Sequence, residues 1–76
     1  MNIQENIISI IKKALKNEKL VLEPQFSAAD VDGWDSLHHV MIIAEIEKHF
    51  DIKFDFLEVM DIKTIEDLAK ATERKL

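Results

Sequence analysis

Cysteine and tyrosine are absent from the chain, and glycine, proline and tryptophan occur once each. Without cysteine there is no disulfide framework and no thiolate metal site, so packing alone must hold the fold, which suits a reducing compartment. One glycine and one proline are too few for a turn-rich all-β fold, and 47% apolar residues are too many for a disordered tail. No apolar run approaches the roughly 18 residues of a membrane span. The start of the chain mixes Ile with Glu, Asn and Lys, unlike the apolar core of a signal peptide. The chain is therefore expected to be cytoplasmic, with no membrane insertion. At 76 residues it has room for one domain spanning 1–76, because so short a chain buries only about 60% of the surface its unfolded form exposes.

The net charge of −5 argues against nucleic acid or an anionic membrane as partner. Its distribution is more informative. Residues 1–20 hold four Lys against two Glu, and residues 62–76 hold four bases against three acids. Residues 21–61 hold ten acids against two Lys, so a basic partner surface would be steered to the middle of the sequence.

Asn2 followed by Glu5 is a helix-start signal, and Ile3, Ile7, Ile10, Ile11, Ala14 and Leu15 recur at helical spacing, predicting a first helix to about Lys16. Periodicity lapses from Asn17 to Asp35, a long connection of the kind that often carries function. Within it, Ser27–Asp30 fits a single helical turn, with Val21, Leu22 and Phe26 as anchors to the core. Asp35 suits the cap of a second helix running through Phe50, which no Gly or Pro interrupts. The alternating run Asp51–Phe56 has no second run to pair with and reads as an extended connector. A short apolar helix over 56–60 follows, and Thr64 with Asp67 opens a last helix carrying Ile65, Leu68, Ala69, Thr72 and Leu76. The expected fold is all-α: a small antiparallel four-helix bundle with three longer helices and a short third one. Its core should be aliphatic with several Phe, and Trp34 should be partly buried.

The second helix has two apolar stripes. Ile42, Ile43, Ile46 and Phe50 form the natural core face, while Leu37, Val40, Met41 and Ala44 run down the other side from Ser36. The second stripe is either buried in a central helix or exposed as a docking strip. Catalytic and metal chemistry find little support. His38 and His39 follow Ser36 in the same helix, and neither is expected to serve its hydroxyl as a base. No Gly-x-Ser-x-Gly elbow occurs. Glu45 and His49 lie one turn apart but lack a third ligand, so no metal site is expected.

Gly33-Trp34-Asp35-Ser36-Leu37 resembles the Asp-Ser-Leu signature of acyl carrier proteins, and the resemblance covers nearly the whole chain. It implies that the chain is not an enzyme and that Ser36 accepts a 4′-phosphopantetheine arm from coenzyme A through a separate, Mg-dependent phosphopantetheinyl transferase. Asp35 and Leu37 would support the attachment site. The arm's thiol would carry acyl groups as thioesters to acyl-transferring, ligase or synthase enzymes. Those partners would bring basic docking patches to Leu37, Val40, Met41, Ala44, Glu47, Asp55 and Glu58. Ile42, Ile43, Ile46, Phe50, Phe54, Leu57, Val59, Ile62 and Leu68 would line a core that opens to shelter an acyl chain. A monomer is expected.

The chain departs from the usual fatty-acid carrier, which places acids where His38 and Met41 stand here. Fatty-acid, polyketide and specialised lipid-, aminoacyl- or polysaccharide-linked pathways stay open. Asp rather than His before Ser36 favours an acyl over a peptidyl carrier. The competing reading is an acidic helical interaction module that is never modified.

Overall fold

Each helix begins at a side chain that accepts a hydrogen bond from the backbone N–H three residues on, satisfying one of the N–H groups a helix start leaves unpaired. Asn2 accepts from Glu5 (3.2 Å), Asp35 from His38 (2.9 Å), Asp55 from Glu58 (2.9 Å) and Thr64 from Asp67 (3.1 Å). At Asp55 and Thr64 the carboxylates of Glu58 and Asp67 accept in return from the cap's own N–H. The computed structural model, which describes residues 2–76, places four helices behind these caps: α1 (Ile3–Ala14), α2 (Ser36–Phe50), α3 (Phe56–Asp61) and α4 (Ile65–Lys75). No strand occurs among the described residues, and the expected turn in the long connection is a 3₁₀ turn at Ala28–Asp30.

The helix ends follow from backbone reversals. α1 stops at Ala14 rather than near Lys16, because Lys16 turns to φ +56° and the Asn17 N–H folds back onto the Lys12 carbonyl at 3.0 Å. α2 ends the same way, with Asp51 at φ +55° and the Ile52 N–H on the Glu47 carbonyl at 3.0 Å.

The long connection is tied to α4. The Glu66 N–H donates to the Pro24 carbonyl (2.8 Å) and the Ile65 N–H to the Phe26 carbonyl (3.0 Å), so the loop satisfies two N–H groups of the α4 first turn. From Leu20 to Phe26 the side chains alternate between half-buried and exposed, through a turn at Pro24–Gln25 that the Phe26 N–H closes on the Glu23 carbonyl at 3.0 Å. Leu20, Leu22 and Phe26 pack on the core. Val21, expected beside them as an anchor, falls on the outward phase and is 79% exposed.

α1 packs against both α2 and α4. Ile7 and Ile11 meet Ile42 and Ile46 of α2 and Ile65 and Leu68 of α4 in one cluster, each fully buried. Full burial stabilises by about 1.5–3 kcal/mol per side chain of this size relative to exposure. The one buried polar side chain among the described residues, Thr72, is satisfied by donating its hydroxyl to the Leu68 carbonyl at 2.9 Å. The core is aliphatic as expected, but its aromatic member is Trp34. Phe26, Phe50 and Phe54 only flank it, from the loop, the last residue of α2 and the connector, and Phe56 is exposed.

Candidate functional site

The chain approaches α2 through Gly33, whose φ of +87° lies where side-chain-bearing residues are strained. Beyond its chain neighbours no atom lies within 4 Å of the position a Cβ would take there, so the dihedral rather than crowding makes the demand. Trp34 then turns inward and is 7% exposed. Asp35 caps α2 with the same oxygen, Oδ1, that meets the Nδ1 of His38 at 2.8 Å. The backbone N–H of His38, and then its ring, hold the Asp35 carboxyl below the usual carboxylate range. Ser36 is the first residue of α2 and is exposed.

This placement suits a phosphate ester. The first turn of a helix offers unpaired N–H groups and the positive end of the helix dipole; in α2 the Asp35 carboxylate takes the His38 N–H, and no further acidic residue follows in the first turn. Both neighbouring histidines are engaged elsewhere, His38 with Asp35 and His39 with Trp34, whose indole N–H donates to His39 Nδ1 at 3.3 Å. Among the described residues neither ring is hydrogen-bonded to the Ser36 hydroxyl.

The two stripes of α2 separate as the periodicity requires. Ile42, Ile43 and Ile46 are buried, and Phe50 is half-buried. Leu37, Val40, Met41 and Ala44 are exposed, so the stripe that begins beside Ser36 faces solvent. Of the expected acids, Asp55 is exposed while capping α3. Glu47 accepts the Phe54 N–H at 2.8 Å, bracing the connector against α2. Glu58 pairs with Lys75 of α4, which holds its carboxyl below the usual range. These acids serve the fold as well as the surface.

Among residues expected to line an acyl-sheltering core, Phe54, Val59, Ile62 and Leu68 join the core or pack on it. Leu57 does not: it is 72% exposed, beside the equally exposed Phe56 and Met60. The extended connector resets the helical phase, so α3 turns Val59 inward and Leu57 outward.

The sequence reading missed the pairing of His38 with Asp35 and the Asp55–Glu58 capping box, for which an i,i+3 spacing and a sequence pattern were available as signals. The Trp34–His39 pair left no such signal, because five residues across a loop–helix junction match no regular spacing.

Comparison with known proteins agrees with this geometry. The family model described as the phosphopantetheine attachment site matches residues 5–72. The chain is 36% identical to an acyl carrier protein homolog of Mycoplasmopsis pulmonis over 75 residues, covering 99% of this chain and 97% of the relative. It is 29% identical to an acyl carrier protein of Syntrophobacter fumaroxidans over 65 residues, covering 86% and 80%. The solution NMR structure of a holo acyl carrier protein from Geobacter metallireducens superposes with a TM-score of 0.90 at 33% identity, covering 99% of this chain and 86% of that one. With the model spanning most of the sequence and the fold shared throughout, the chain belongs to the acyl carrier proteins, which bear a covalently attached phosphopantetheine and are carriers rather than enzymes.

Proposed function

We propose that Ser36 is the residue that bears the arm. Its hydroxyl is exposed, at the dipole-positive end of a capped helix and beside an apolar strip that begins at the next residue. A separate Mg-dependent transferase joins the Ser36 oxygen to the phosphopantetheine phosphorus of coenzyme A, the adenosine bisphosphate half leaves, and the hydroxyl proton is released. The arm, once attached, supplies a thiol that holds acyl groups as thioesters. Tethering raises the effective concentration of the acyl group at a docked enzyme to the order of millimolar.

Leu37, Val40, Met41 and Ala44 form the docking strip, with Asp35 and Leu37 supporting the attachment site. The acid-rich stretch 21–61 steers partners with basic patches toward it, giving fast and short-lived encounters. The partners are the transferase and acyl-transferring, ligase or synthase enzymes of fatty-acid, polyketide or specialised lipid- or polysaccharide-linked biosynthesis. His38 and Met41 stand where the fatty-acid carrier pattern has acids, which favours a specialised pathway.

The test is intact mass after incubation with coenzyme A and a broad-specificity transferase. Wild type should gain one phosphopantetheine and Ser36→Ala none. Mass gain on neither protein would favour the unmodified interaction module. The core bounded by Ile42, Ile43, Ile46, Phe50, Phe54, Val59, Ile62 and Leu68 also shelters the acyl chain on this reading. NMR signals of these residues should shift between the holo and acylated forms, and identical spectra would rule sheltering out.

A further inference from the structure

Two consecutive histidines of α2 grip the two residues that precede Ser36. His38 holds Asp35, with Nδ1 and Oδ1 2.8 Å apart, and His39 holds Trp34, with Nε1 and Nδ1 3.3 Å apart. The partners dictate opposite tautomers. A carboxylate only accepts, so Nδ1 of His38 carries a proton; an indole N–H only donates, so Nδ1 of His39 carries none and its proton sits on Nε2. The His39 ring also lies against the indole, with centroids 6.0 Å apart and planes 26° from parallel.

The Trp34–His39 bond spans Ser36, joining the segment before it to the end of the first turn behind it. Gly33, at φ +87°, has no side chain with which to fix the approach of the chain. The Asp35 cap supplies one point of attachment to α2, and the buried indole on His39 supplies a second. Two points fix a direction where one leaves a pivot.

We infer that His39 is a positioning residue for the modification of Ser36: by accepting the Trp34 indole N–H, it locks the Gly33–Asp35 segment onto α2 and sets how the Ser36 hydroxyl is presented to the transferase. The inference rests on the reading of Ser36 as the attachment residue. Its mechanism is population control. With the second tie cut, only a fraction of molecules would present the hydroxyl correctly, and apparent affinity would fall by that fraction.

Steady-state phosphopantetheinylation of the full chain by one broad-specificity transferase, read by intact mass, tests this with His39→Leu, His39→Asn and Trp34→Phe. His39→Leu keeps bulk and removes the acceptor, while His39→Asn returns an amide oxygen near the place of Nδ1. His39→Leu should raise KM for the carrier about tenfold at unchanged kcat, and His39→Asn should recover most of the loss. Trp34→Phe, which keeps an aromatic ring without the donor, should match His39→Leu and provides the answer if that variant does not fold. The Trp34 indole N–H proton signal should move in His39→Leu and return toward its wild-type position in His39→Asn. Wild-type KM in both His39→Leu and Trp34→Phe, or an Asn variant as impaired as the Leu one, would overturn the inference. A mass gain on Ser36→Ala would instead overturn the attachment reading, which separates the two failures.

Discussion

α1 and α4 treat their apolar side chains differently from α2 and α3. Among the described residues, neither α1 nor α4 exposes a large hydrophobic side chain. Both are amphipathic, with Lys12 and Lys13 closing α1 and Arg74 and Lys75 closing α4. α2 and α3 leave Leu37, Val40, Met41, Phe56, Leu57 and Met60 in solvent. Poor packing does not account for this, because α2 also buries Ile42, Ile43 and Ile46 on its other side. Each exposed side chain of this size forgoes about 1.5–3 kcal/mol of burial free energy. The difference teaches that one pair of helices spends its hydrophobicity on the fold, while the other withholds part of it from the fold. A docking surface beside Ser36 is the use proposed for the withheld part.

The largest expected effect tests that division directly. Leu68→Ala removes a fully buried side chain of α4 and should cost about 2–5 kcal/mol, read as a lower midpoint of chemical unfolding. Met41→Ala, on the exposed strip of α2, should stay within about 0.5 kcal/mol of wild type in the same measurement. A large loss at Met41 would show that the strip holds the fold, and the contrast between the helix pairs would collapse.

How far the sequence disclosed this arrangement depended on the range of each signal. The starts of α1, α2 and α4 were legible because a cap acts within three residues, as at Asn2, Asp35 and Thr64. The two faces of α2 were legible because a continuous helix preserves phase from Leu37 to Phe50. Phase was lost wherever the chain became extended. Leu57 was assigned to the core because nothing in the connector 51–55 fixes the rotation of α3 relative to α2. Val21 was misplaced because the period-2 alternation of residues 20–26 lies inside a stretch that otherwise looks irregular. Trp34 was expected to be only partly buried because its partner, His39, lies across a junction between loop and helix. The same limit applies to Glu47, whose bond to the Phe54 N–H crosses the reversal at Asp51. Local chemistry wrote the helices, and contacts across the connections completed the site.

The most local prediction separates the approach to Ser36 from the α1–α4 core by pH. Burial pushes the His39 imidazole below its ordinary value of about 6.5, whereas in the unfolded chain it keeps that value. As pH falls, the unfolded state therefore binds the proton first. Stability from this group is complete above pH 6.5, declines below it, and levels off once folded His39 is itself protonated. Protonation leaves Nδ1 without a lone pair and breaks the bond from Trp34, while His38, whose Nδ1 already donates, keeps its hold on Asp35. The Asp35 carboxyl, lowered by the N–H and ring of His38, contributes in a separate window, losing its stabilisation only as pH falls below its ordinary 3.8. Unfolding free energy measured against pH should thus slope downward below 6.5 in wild type, more steeply than in His39→Asn, which has no proton to take up at that position. The Trp34 indole N–H signal should move over the same interval while methyl signals of Ile11 and Leu68 stay in place. Equal slopes in the two proteins would show that His39 carries no such linkage, and core methyls that move with the indole would mean that the approach to Ser36 and the α1–α4 core respond to protons as one unit.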